Sequence, residues 1–176
     1  MIARLAIAAA ASTGLFVAPA AAKVISSDPH GFVIEQRVSA AAPPGAVWTA
    51  LGNVSGWWSK DHTYSGNAAN LSLVLSPGGC FCERFPGGGG IEHLRVALVQ
   101  PGKSLTLTGA LGPLLSEAVT GVMEIRIERA GGGATIIATY RASGFARGNA
   151  AKLAPLVDQV VGEQARRLAV LAAGKR

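Results

Sequence analysis

The 176-residue chain has two cysteines, three histidines and charged side chains at only 15% of its positions, and each scarcity removes a class of function. Cys80-Phe81-Cys82 has no second cysteine pair at a fixed spacing, so a zinc-finger framework is absent. The glycine run Gly87 to Gly90 has no adjoining Gly-Lys-Ser/Thr and leads into a β-type segment instead of a helix N-terminus. A phosphate cradle needs both features, so this run reads as a flexible hairpin tip. The charges are scattered, with no basic stripe interleaved with aromatics. Nucleic acid is therefore not an expected partner, despite a formal net charge of +6. Beyond the N-terminus, no apolar run approaches the ~20 residues that cross a bilayer.

The N-terminus itself reads as an export signal. Arg4 supplies a positive n-region, Leu5 to Val17 an apolar stretch, and Ala18-Pro19-Ala20-Ala21-Ala22 a small-residue cleavage site. Cleavage after Ala22 is expected to leave one domain, residues 23–176, in the periplasm or outside the cell. Arg4 would leave with the leader, which lowers the formal charge from +6 to +5. No stable membrane insertion is expected after cleavage. A chain of this length has one hydrophobic core.

Along that domain, Phe32 to Ala40 alternates as a first strand and Pro43-Pro44 ends it. Pro44 suits the first turn of a short helix with Val47, Trp48 and Leu51 at helical spacing. A second short helical or turn segment spans Asn53 to Lys60. Six β-type runs follow: Leu71 to Leu75, Cys80 to Phe85, Ile91 to Val99, Leu105 to Leu111, Val119 to Arg129 and Thr135 to Ser143. Pro-Gly and Gly-rich turns punctuate them. From Ala151 to Leu171 the period changes: Leu153, Leu156, Val157, Val160, Gln164, Leu168 and Leu171 form the stripe of an amphipathic helix. Lys152, Asp158, Glu163 and Arg166 mark its other face. The expected class is α+β, with a curved antiparallel sheet of about seven strands wrapped on the long C-terminal helix.

This order, together with Ala42 to Trp48, Gly56-Trp57-Trp58, Pro77-Gly78-Gly79, Val96 to Leu105 and Leu153 to Asp158, resembles the START-like superfamily. That superfamily includes the polyketide cyclases and dehydratases, the birch-pollen-allergen type and relatives of heat-shock ATPase activators. The resemblance covers essentially all of the expected mature chain. It implies a helix-grip scaffold with a hydrophobic cavity between sheet and helix. It does not select among binders, enzymes and interaction domains, and none of the matching segments is a catalytic signature.

Several residues carry chemistry on this scaffold. Strand parity puts Phe81, Glu83 and Phe85 on one face and both sulfurs on the other. If the phenylalanines face the cavity, Glu83 does too, and a buried carboxylate must be paired or neutral. Glu83 could orient a ligand, act as acid or base, or form a structural salt bridge with Arg84, Arg95 or Arg141. Extended geometry separates residues i and i+2 by roughly 6.5–7 Å at Cα. That favours two reduced, packed cysteines over a strained or intermolecular disulfide, with a metal site alongside His93, His62 or Glu83 as a third reading. His93 and Arg95 lie opposite Leu94, Val96 and Leu98, which makes His93 solvent-facing if the leucine side is core. The leading expectation is a binding protein for a small apolar or amphipathic molecule. Its walls come from Val119 to Ile127, including Met123, and from Leu153 to Leu168, including Leu156 and Val160. Trp58 and His62 lie at the mouth, with Glu83, Tyr64 or Tyr140 as polar anchors. A cofactor-independent cyclase or dehydratase using Glu83 with His62 or Tyr64 is the enzymatic alternative. An interaction domain with a filled cavity, which would bind a protein partner, is the third. No cofactor or metal is expected.

Overall fold

The computed structural model describes residues 22 to 174, so the expected leader lies outside the described residues apart from Ala22. Strands β1 (Ala22–Ser27) and β2 (Gly31–Ala40) come first, followed by helix α1 (Pro44–Gly52). Strands β3 (Leu71–Leu73), β4 (Cys80–Arg84), β5 (Gly90–Gln100), β6 (Ser104–Thr108), β7 (Thr120–Ala130) and β8 (Gly133–Ser143) lead to helix α2 (Ala150–Ala172). The strands form one curved antiparallel sheet in the order β1-β2-β8-β7-β6-β5-β4-β3. The class is α+β, as the alternation and the change of period predict. The sheet has eight strands instead of seven. β1 is too short and too irregular to read from its residues, and an extra residue at Ile25 interrupts its pairing with β2.

Local chemistry explains most of the boundaries. Pro43 stays extended and Pro44 opens α1, whose Val47, Ala50 and Leu51 are buried. Gly87, Gly88 and Gly89 take positive φ at the β4–β5 tip, a turn that side-chain-bearing residues rarely adopt. The long ladders of β2 with β8 and β7 with β8 run without a register shift. Their inner faces bury Ile34, Val38, Ile125, Ile127, Ile136 and Tyr140.

Helix α2 sits on this face through small and polar groups. Ala154, Asp158, Val161, Gly162, Ala165 and Leu168 are buried. Asp158 is therefore not on the solvated face that the sequence suggests. Gln36 Nε2, fully buried on β2, donates to Asp158 Oδ1 at 2.5 Å and to its carbonyl oxygen at 3.1 Å. A Cβ at position 162 would meet Gln36 Oε1 at 2.8 Å, so glycine allows the helix to close on the strand. The first half of the predicted apolar stripe, Leu153 to Val160, is not sealed against the sheet. Leu156 is 59% exposed.

Two irregularities in β5 change which residues face inward. Phe81 pairs with Leu94 but Cys82 pairs with Glu92, so His93 is an extra residue. Val96 pairs with Leu107 and Leu98 with Thr106, so Ala97 is a second one. Each bulge reverses the alternation. His93 and Leu94 are consequently both buried, while Leu98 is half exposed. The solvent-facing position inferred for His93, and the core position inferred for Leu98, are corrected by these two insertions.

The cysteines are corrected as well. Cys80 and Cys82 form a disulfide, with their Cα atoms 5.3 Å apart. That separation is shorter than regular extended spacing, and it lies on β4 where the pairing with β5 shifts. The sulfurs are bonded to each other and so are not two free thiolates for a metal. The acidic group beside them is Glu92 instead of Glu83.

Candidate functional site

A half-enclosed hollow of about 350 Å³ lies beside the first half of α2, with His93 of β5 as its lining residue from the sheet. Leu153, Leu156, Val157 and Val160 form its helical wall. Trp58 and the loop Asp61 to Tyr64 form the facing side. Leu111 to Leu114, at the start of the short 3-10 segment Gly112–Glu117, form a rim, and His93 comes in from β5. The lining is predominantly apolar with a few polar groups, the ordinary composition of a small-molecule site, and the volume is within the usual range.

Helix α2 also positions the loop wall. Gln164 Oε1 accepts the Ser59 N–H at 2.8 Å, Arg167 Nε donates to the Trp57 carbonyl at 2.7 Å, and His62 Nε2 meets Glu163 Oε2 at 3.1 Å. Trp58 Nε1 donates to the His62 carbonyl at 2.9 Å. The rings of Trp58 and Phe81 meet edge to face at 5.0 Å, and Phe81 lies 5.0 Å from the ring of His93. Tyr64 lies 5.9 Å from His93. Aromatic contact thus fixes the orientation of the imidazole.

The most consequential polar pair is Glu83 with His93. Their side chains are 0% and 4% exposed, with His93 Nε2 3.0 Å from Glu83 Oε2. The Tyr64 N–H donates to Oε2 at 3.0 Å and the Ser65 N–H to Oε1 at 2.5 Å. Burial pushes the Glu83 carboxyl up. Hydrogen bonds from the Ser65 side chain, the two backbone N–H groups and His93 outweigh it and hold the group below its ordinary value. Burial also lowers the pKa of His93, against the opposing pull of Glu83. An ionised carboxylate only accepts hydrogen bonds, so the neutral imidazole carries its proton on Nε2. Its Nδ1 is then a bare acceptor, and this buried atom has no hydrogen-bond partner.

The sequence-derived candidates separate into three groups. Trp58, His62, Tyr64, Leu156 and Val160 line the hollow. Phe81 and Glu83 lie behind it, supporting His93, and Phe85 is half-buried with its ring 6.4 Å from that of Tyr64. Met123 and Tyr140 are elsewhere. Met123 packs with Trp57, Trp58 and Leu168 around a small void of about 30 Å³ deeper under α2. Tyr140 is fully buried, and its hydroxyl donates to the Gly109 carbonyl at 2.9 Å and accepts the Leu111 N–H at 3.2 Å. It ties down the base of the rim. The sequence offers His93 as a possible metal ligand beside the cysteines and not as a lining residue, because its inward position depends on a bulge that strand alternation does not show. A wider groove of about 430 Å³ lies on the outer face of the sheet beside Val33, Val122 and Arg141. It is open to solvent and has no buried polar atom lacking a partner among the described residues.

No protein-family model matches the chain, and no curated protein matches its sequence significantly. Solved structures do match it. Protein MLL2253 from Mesorhizobium loti superposes with a TM-score of 0.59 at 17% identity, over 82% of this chain and 98% of that one. Ara h 8.0201 gives 0.58 at 12% identity, over 82% and 99%. The di-domain ARO/CYC StfQ of the steffimycin biosynthetic pathway gives 0.56 at 12% identity, over 83% of this chain and 52% of its own. The chain shares the helix-grip fold of these structures. In this helix-grip chain the first half of α2 has two unlike faces: Ala154 and Asp158 are buried, Asp158 against Gln36 of the sheet, whereas Leu153, Leu156, Val157 and Val160 line the hollow.

Proposed function

We propose that the chain is an exported binding protein for a small hydrophobic or amphipathic molecule, held in the hollow beneath the first half of α2. The observation that carries this reading is the apolar stripe Leu153, Leu156, Val157 and Val160 facing a space of about 350 Å³ instead of the sheet. Apolar area of that kind, placed opposite Trp58, gains free energy when a guest removes it from water. Native mass spectrometry of the protein purified from its own source, followed by extraction, tests it. The expected result is a retained small molecule that leaves on extraction. Cell fractionation with N-terminal sequencing tests export, with Lys23 as the expected first residue.

One observation favours a cofactor-independent enzyme of the cyclase or dehydratase kind as a second reading. A carboxylate-supported imidazole at an apolar hollow has the components of proton transfer. It would use His93 supported by Glu83, in place of the pairing of Glu83 with His62 or Tyr64 suggested by sequence. Turnover of an extracted compound that is lost in His93→Phe would support it.

A further inference from the structure

Accepting the binding reading on which this rests, we infer that Trp58 sets how long a guest the protein takes: its indole closes the hollow off from the void deeper under α2, so the site accepts compact molecules and excludes long alkyl chains. The two spaces lie along one apolar stripe of the helix. Leu153, Leu156, Val157 and Val160 line the hollow, and Val161, Gln164, Ala165 and Leu168, on the turns that follow, line the void. From Leu156 to Gln164 the helix advances about 12 Å. Met123 and Ile125 of β7 and Ile136 and Ala138 of β8 continue the apolar wall of the void. Among the described residues, Trp58 alone lines both spaces.

The indole is held in place as a partition. It is 7% exposed, its Nε1 donates to the His62 carbonyl at 2.9 Å, and its ring lies 5.0 Å from that of Phe81 and 5.5 Å from that of Trp57. The void behind it, about 30 Å³, is too small for a guest of its own, and the hollow in front, about 350 Å³, is at the low end of small-molecule sites. Each methylene that leaves water for an apolar wall raises affinity by about fourfold. A chain therefore gains with length until it meets the indole, and methylenes added beyond that point stay in the water of the mouth. The guest class this describes is a compact ring compound or a short-chain amphiphile, with its polar group left beside His62, Thr63 and Tyr64.

Calorimetric titration of the protein with thymol, as a compact reference, and with 4-n-alkylphenols from ethyl to octyl tests the inference. In the wild type, affinity is expected to rise with chain length and then level off within the series. In Trp58→Leu, which removes the indole and keeps an apolar side chain, the levelling should move to longer chains. The ratio of octyl to ethyl affinity should then rise by about tenfold or more. Adding Ala165→Leu, which fills the void from the helix side, should return the levelling to its wild-type length. Methyl NMR of the wild type gives a readout that does not depend on a variant folding. Bound 4-n-octylphenol should shift the methyl resonances of Leu153 and Val157 and leave those of Met123 and Leu168 unmoved. Levelling at the same chain length in wild type and Trp58→Leu, or shifts of Met123 and Leu168 in the wild type, overturns the inference and leaves the binding reading in place. Failure of thymol and of every alkylphenol to bind the wild type counts against the binding reading itself and removes the inference with it.

Discussion

Two histidine–glutamate pairs border the same hollow at nearly the same distance, 3.0 Å for His93–Glu83 and 3.1 Å for His62–Glu163. Their surroundings differ. The first pair is 4% and 0% exposed and joined by two backbone N–H donors, whereas the second is 31% and 37% exposed. The comparison teaches that the distance between partners says little about what a pair does. Burial decides whether a carboxylate can dictate a tautomer, and whether losing it is tolerated.

The sharpest way to break this contrast is to remove each carboxylate in turn. Glu83→Ala leaves the N–H groups of Tyr64 and Ser65 and the imidazole N–H without their acceptor, and should cost about 3–5 kcal/mol in denaturant unfolding. A loss below 1 kcal/mol would mean that Glu83 is not the structural centre of the loop Tyr64 to Asn67. Next in size is Val160→Trp, which places an indole in the hollow. Thymol affinity should fall by about tenfold or more with stability nearly unchanged. Unchanged affinity would place the guest elsewhere.

A smaller effect separates the pairs by pH. The folded pKa of His93 lies below its ordinary 6.5, because burial outweighs the pull of Glu83. The unfolded chain therefore takes up this proton first, and stability is full above 6.5 and declines as pH falls from there toward the folded value. Glu83, held below its ordinary 4.5, adds a second loss in the same direction at lower pH. Denaturant midpoints measured from pH 7.5 to 4.5 should show the first decline in wild type and lack it in His93→Phe. An identical decline in both proteins would assign the acid sensitivity to other groups. The smallest change expected is from Glu163→Ala, under about 1 kcal/mol, since an exposed pair is screened and mobile. A larger loss would show that the His62 contact helps to hold the Trp58 loop.

Much of the fold was legible in the sequence, and the reason is periodicity. The alternation of Phe32 to Ala40 became β2, the glycine run became the β4–β5 tip, and the three-and-four spacing from Leu153 became α2. What stayed hidden belongs to pairs of elements. The bulge at His93 is a property of the β4–β5 ladder, and no residue within β5 announces it. Asp158 looks solvated on a helical projection and is buried because Gln36 on β2 reaches it. The Cys80–Cys82 disulfide, judged against ideal strand spacing, depends on a strand that departs from it. Glu83 could be singled out in advance because parity alone placed a carboxylate among inward-facing aromatics. Its partner could not, because finding it required the register of the neighbouring strand.

The claim that a guest occupies the space under the first half of α2 is tested most directly by methyl NMR during a thymol titration. The methyl resonances of Leu153, Leu156, Val157 and Val160 should shift together and saturate, with those of Val33 and Val122 on the outer face unmoved. Shifts confined to Val33 and Val122, or none on α2 at saturating thymol, would contradict it.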